Sequence, residues 1–151
     1  MKHAGIAIVA GLLATAASPV DEVPWPEGYR SWTHMKSAYL GPGHAAAPKY
    51  EGLHSIYANE LAMQGYRSGR FPVGAVIAYD QLDAKVAKTS IEPAARKFVD
   101  VMRRGPDGWV FGEYSADGKT RLVTAAQGVK QCAECHARPG TQDGVFSRYS
   151  E

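Results

Sequence analysis

From Lys97 to Arg104 the chain alternates, with Phe98, Asp100 and Met102 on one side and Val99 and Val101 on the other. A period of two predicts a strand. Gly105-Pro106-Asp107-Gly108 then predicts a turn, and Trp109 to Ser115 the returning strand, so the pair forms a hairpin. Leu53 to Ala58, around Ile56-Tyr57, and Ala75 to Tyr79 are further strand candidates. Arg30 to Leu40, where aromatics mix with polar residues, is another. Helical signals begin at Asn59, a good N-cap, with Glu60 in the first turn and Gly69 to close. Leu61, Ala62 and Tyr66 would give that helix its buried face. Gln81 to Ala95 fits a helix or an irregular connection, and Pro93 argues against a continuous helix. A turn at Asp117-Gly118 leads into a helical stretch that runs to Cys132. Together these predict an α+β fold, mainly antiparallel β-sheet with a few helices.

The amino terminus changes the picture. Met1-Lys2-His3 is short and basic, Ala4 to Ala14 is apolar, and Ala14-Thr15-Ala16 supplies a small-x-small cleavage site. Residues 1–17 therefore form a signal peptide, too short for a retained membrane span. No twin arginine and no cysteine accompany it, which argues against Tat export or a lipid anchor. Residues 18–28 (Pro19, Pro24, Pro26) form an extended leader rather than a packed element. Residues 29–151 make a single domain. The formal charge is +2. So weak a balance leaves no footprint for nucleic acid or an anionic membrane.

Both cysteines of the chain lie in Cys132-Ala133-Glu134-Cys135-His136. C-x-x-C-H is the attachment sequence of a c-type haem. The two thiols add across the porphyrin vinyl groups, and one helical turn brings the histidine to the same face to ligate the iron. A thioredoxin-like centre would need a βαβ context, and none surrounds Cys132. A structural zinc site would need about four ligands, and there is no third cysteine. A two-residue loop is a poor geometry for a stabilising disulfide. The motif and the signal agree, since such haems are attached after export: one covalent haem c, in a periplasmic protein. A four-helix bundle with a late motif does not suit so many strand and turn signals.

The chain resembles the cytochrome P-460 family, which includes the cytochromes c′-β. The likeness runs from about Tyr29 to Tyr149. It is carried by Tyr29-Arg30-Ser31-Trp32, Ile56-Tyr57-Ala58-Asn59, Phe71-Pro72-Val73-Gly74-Ala75-Val76, Gly108-Trp109-Val110-Phe111-Gly112, the haem motif, and Asp143-Gly144-Val145-Phe146-Ser147-Arg148. The resemblance implies an antiparallel β fold, often a homodimer, and a high-spin haem with His136 as its only protein ligand. It also implies two functional groups. One oxidises hydroxylamine and bears a further lysine–haem bond; the other binds nitric oxide or carbon monoxide on an apolar distal face. The cross-linking lysine of the first group lies eight residues beyond the phenylalanine of the Phe-x-x-Gly turn. Counting from Phe71 reaches Tyr79, and Lys85 and Lys88 do not align there. Tyr79 is thus a candidate distal haem neighbour or a core tyrosine.

An electron carrier fills both axial positions of its haem, whereas a gas binder or enzyme leaves one open. Met35, Met63, Met102, His34, His44 and His54 are the candidate sixth ligands, and none carries a flanking pattern that marks it as one. Glu113, Glu92 and Asp100 are candidate proton acceptors. The expectation is a periplasmic mono-haem cytochrome with a five-coordinate iron that binds nitrogen oxides such as nitric oxide. The alternatives are a hydroxylamine or nitric oxide oxidoreductase and a six-coordinate electron-transfer cytochrome with a periplasmic redox partner.

Overall fold

The computed structural model describes residues 22–149; the signal-peptide reading lies outside them. Six strands form one sheet in which every neighbour in space is the neighbour in sequence and every pair is antiparallel. They are β1 (Thr33–Leu40), β2 (Gly52–Ala58), β3 (Val76–Val86), β4 (Ile91–Arg104), β5 (Trp109–Ser115) and β6 (Arg121–Val123). Helix α1 (Glu60–Ser68) joins β2 to β3, and α2 (Ala125–Gln131) and α3 (Ala133–His136) follow β6. The expected mainly antiparallel α+β architecture is the one observed.

Strand alternation gives the sheet two different faces. On the front, Ile56, Tyr79, Asp100 and Glu113 face one another in register across β2 to β5, and Ala58, Ile77, Met102 and Phe111 form the next row. Helix α1 covers this face with Ala62, Met63 and Tyr66. Asn59 caps it, accepting from Ala62 N at 2.8 Å and from Val76 N at 3.0 Å, so one side chain fixes both the helix start and the start of β3. The predicted buried face needs one correction. Leu61 is 37 % exposed, and Met63, at 1 %, takes the core position.

The back face packs Ala78, Val99, Val101 and Tyr114 against Val23 and Tyr29. The leader carries no helix or strand from Glu22 to Pro26 and turns at Glu27-Gly28, but it is packed, contrary to expectation. Val23 is buried, and its carbonyl accepts from Tyr114 Oη at 2.6 Å and from Arg121 at 3.1 Å. Below it Asp80, 1 % exposed, is held by Arg30 at 2.9 Å, Arg96 at 2.8 Å and Tyr29 Oη at 2.7 Å. A buried carboxylate with two guanidinium partners tolerates its desolvation.

Gln81 to Ala95 is neither helix nor irregular connection; it is the far half of the β3–β4 hairpin, closed by Ala87 N to Ser90 O at 2.9 Å. Pro93 lies opposite Ala84, where the register has slipped, and the ladder tolerates a missing N–H there. The predicted helical run after Asp117-Gly118 is preceded by the short strand β6.

Candidate haem site

Helix α2 begins with a reciprocal capping box between Thr124 and Gln127. It lies so close to β5 that a Cβ on Gly128 would stand 2.6 Å from the backbone oxygen of Phe111. Beyond it Cys132 N bonds Gly128 O at 2.8 Å and His136 N bonds Cys132 O at 3.1 Å. The motif therefore winds as one helical turn, which gathers Cys132, Cys135 and His136. Both thiols are free and half-buried.

The chain then folds back through Asp143 and Gly144, at φ 49° and 81°. Glycine suits such left-handed backbone, and a Cβ there would also press on the Trp109 ring at 3.1 Å. The bend aims the Gly144 carbonyl at His136 Nδ1, 2.7 Å away. A carbonyl only accepts, so Nδ1 carries the proton and Nε2 keeps its lone pair. The ring packs against Phe111 at 4.8 Å and Phe146 at 4.9 Å. Burial lowers its pKa, partly offset by the bond to Gly144, which favours the neutral imidazole that metals require. Beside the ring opens a cleft of about 400 Å³ bordered by Trp109, Phe111, Ala133, Ala137 and Gly144. Paired thiols, a neutral oriented imidazole and an adjoining largely apolar cleft fit a haem.

A polar group adjoins the motif on the front face. Lys49, from the loop before β2, donates to Glu113 Oε2, and Tyr50 Oη donates to Asp100 Oδ2 at 2.8 Å. Tyr50 packs edge-on against Tyr79 at 5.6 Å, and Tyr79 stacks on His54 at 4.5 Å. Burial, and then the Glu113 charge, push the Asp100 carboxyl up to about 7. Burial opposes the charge on Lys49, yet Glu113 and Asp100 hold its pKa above the usual range. Burial and then Asp100 raise the Cys132 thiol to about 11, so the thiol stands within the field of this group. Tyr79 is raised by burial and then by Asp100.

The other sequence candidates sort by place. His34 and His44 are exposed, bonded to Ser37 Oγ at 2.8 Å and to Ala46 N at 3.1 Å. Met63 lies under α1, while Met35 and Met102 belong to the front cluster against which Cys132 packs. His54 is buried and its Nδ1 has no hydrogen-bond partner among the described residues. Its ring stacks on Tyr79, and burial lowers its pKa, with Lys36 and His44 acting in the same direction. Glu92 and Lys85 are exposed cross-strand partners near the hairpin tip, and Lys88 is in its turn. Sequence reasoning missed Lys49 and Tyr50. No local pattern marks them, and the contact from Lys49 to Glu113 spans 64 positions.

Burial lowers the His54 pKa from 6.5 to about 4. Its folded pKa lies below the unfolded one, so its contribution is present above 6.5 and lost as pH falls towards 4. Replacing His54 by Leu should remove an acid-side loss of up to about 3 kcal/mol. Urea titrations of both proteins across that window measure the difference; parallel pH profiles would show a solvated ring.

The fold and the motif define an antiparallel-sheet haem protein with its cofactor segment docked at the end of the sheet. Among the described residues no group of three or more His, Cys, Asp or Glu is placed to hold a bare metal ion. A family model described as Cytochrome P460 matches residues 26–147. The chain belongs to the cytochrome P460 family, and haem is its cofactor. Comparison with curated proteins returns no match. Among the described residues no helix is long and apolar enough to cross a membrane.

Proposed function

We propose that this is an exported mono-haem cytochrome that binds small nitrogen-oxide ligands such as nitric oxide at an open sixth position. Cys132 and Cys135 hold the haem through thioethers and His136 is its only protein ligand. The observation that carries the reading is that a single imidazole is prepared for iron. His136 is neutral, oriented by Gly144 and packed against two phenylalanines, whereas His34 and His44 face solvent and the His54 ring is stacked on Tyr79. A haem iron with a vacant position supplies the affinity for diatomic ligands; pocket polarity and access select among them. Tyr79 offers a hydroxyl that makes no hydrogen bond among the described residues, and Asp100 and Glu113 add acid groups.

One observation favours a second reading, oxidation of hydroxylamine or nitric oxide. The Asp100 and Glu113 carboxylates stand on the face against which Cys132 packs, where a base would have to be. Tyr79 at the place of the family's cross-linking lysine weighs against it.

The test is the visible spectrum of protein matured in a bacterial periplasm, ferric and ferrous, with the mass of the denatured holoprotein. A high-spin spectrum and a mass of chain plus one haem support the binder. A low-spin spectrum would overturn it and leave an electron carrier. A mass or spectrum showing haem chemistry beyond two thioethers moves the case to the oxidoreductase. Tyr79→Phe should weaken nitric oxide binding by about 2- to 10-fold, the effect of one neutral hydrogen bond. An unchanged dissociation rate would return Tyr79 to a packing role.

A further inference from the structure

Asp100 on β4 and Glu113 on β5 are direct cross-strand partners on the front face. Side chains so paired stand about 5 Å apart at Cβ, and like charges there repel. Glu113 is 9 % exposed. The groups that face the pair are few. The loop before β2 supplies the Lys49 ammonium on Glu113 and the Tyr50 hydroxyl on Asp100; β3 supplies Tyr79, with His54 of β2 stacked behind it. Beyond Glu113, β6 offers only the apolar Val123, and the end of α2 brings the Cys132 sulfur. With both acids ionised the cluster holds two negative charges against one positive.

A buried cluster in that state sheds its excess charge by keeping a proton, and the proton belongs to the pair rather than to either acid. We propose that Asp100 and Glu113 together hold one exchangeable proton, linked to the charge on the neighbouring haem. Burial and the Glu113 charge raise the Asp100 carboxyl, in the direction this requires. When an external one-electron donor adds one negative charge to the site, one proton passes from water to a carboxylate oxygen of the pair. Reoxidation releases it. Only an O–H bond forms and breaks. Tyr50 and Lys49 are positioning residues, setting the pH at which the pair responds by stabilising its ionised form. This requires the haem but not the open sixth position, so spin state tests the function proposed above and the present experiment tests the pair.

That experiment is a potentiometric titration of the haem-loaded protein over the neutral pH range, paired with infrared spectra of the carboxylic C=O stretch. The potential of the natural protein should fall as pH rises, by up to about 59 mV for each tenfold drop in proton activity. A protonated carboxyl band should be present at neutral pH. Asp100→Asn should flatten the slope and remove the band. Tyr50→Phe, which removes only a donor to ionised Asp100, should keep the slope and move its inflection to higher pH. If Asp100→Asn does not fold, Tyr50→Phe decides: an upward shift supports the pair and an unmoved inflection overturns it. A flat potential in the natural protein overturns the proposal. So does a slope unchanged in Asp100→Asn, which would place the proton elsewhere, such as on the haem carboxylates.

Discussion

His136→Ala is expected to abolish the normal axial field of the haem while the two thioether positions remain. Nδ1 is committed to the Gly144 carbonyl at 2.7 Å, which leaves Nε2 as the free nitrogen, and Phe111 and Phe146 pack against the ring. Of the other described histidines, His34 and His44 are exposed and His54 stacks on the Tyr79 ring. The ferrous Soret band should shift and broaden, and added imidazole should restore much of the natural spectrum by filling the vacated space. Two comparisons sharpen the result. Phe146→Ala leaves the ligand but removes one of the rings that pack against it, so the spectral type should persist. A spectrum unchanged in His136→Ala would mean that another residue, with Met35 or Met102 nearest in the packing, ligates the iron.

Gly128→Ala should destabilise the protein although helix propensity alone predicts the opposite. In an unpacked helix the change would stabilise by about 1 kcal/mol. Here the new methyl would meet the Phe111 backbone oxygen at 2.6 Å and its carbonyl carbon at 3.1 Å. That backbone is paired to Met102 in the β4 ladder, so α2 must lift. Overpacking of this kind costs about 1–3 kcal/mol or more, which corresponds to a fall in melting temperature of roughly 5–10 °C. Because Cys132 follows α2 directly, haem incorporation should fall with it. Val129→Ala, on the exposed side of the same helix, should stay within about 0.5 kcal/mol of the natural protein. Gly128→Ala with a raised melting temperature would show that α2 is not held against β5.

How much of this was legible follows from how local each signal is. Helix α1 was bounded at both ends, because an N-cap asparagine and a left-handed closing glycine act within a few residues. The alternation of β4 and the turn into β5 were equally plain. The outer half of the β3–β4 hairpin was not: Asp83 to Pro93 is largely exposed, so no buried face imposes a hydrophobic period, and Pro93 masked the strand. Leu61 and Met63 exchanged roles because helix faces are set by what packs on them, here Phe71 and the front of the sheet. The residues proposed to hold the haem all lie in one five-residue motif, so that reading needed no long-range contact. Lys49 and Tyr50 were not, because loop residues carry no periodicity and their partners lie 64 and 50 positions away.

The order of strands in the sheet has a consequence for assembly. Each strand pairs with the one just made, so the sheet closes by short hairpins and α1 without waiting for distant segments, a topology that favours rapid folding. The segment bearing Cys132 and His136 comes after the last strand and rests on a surface already complete. Its attachments include α2 on β5, the Trp109 and Tyr66 bonds to the tail at 2.6 Å each, the Phe71 N bond to Asp143 at 3.0 Å, Val145 buried in the front core, and the packing of Phe111 on His136. Every strand pairing of the sheet is therefore made by residues that precede the motif, while Val145 behind it completes the front core.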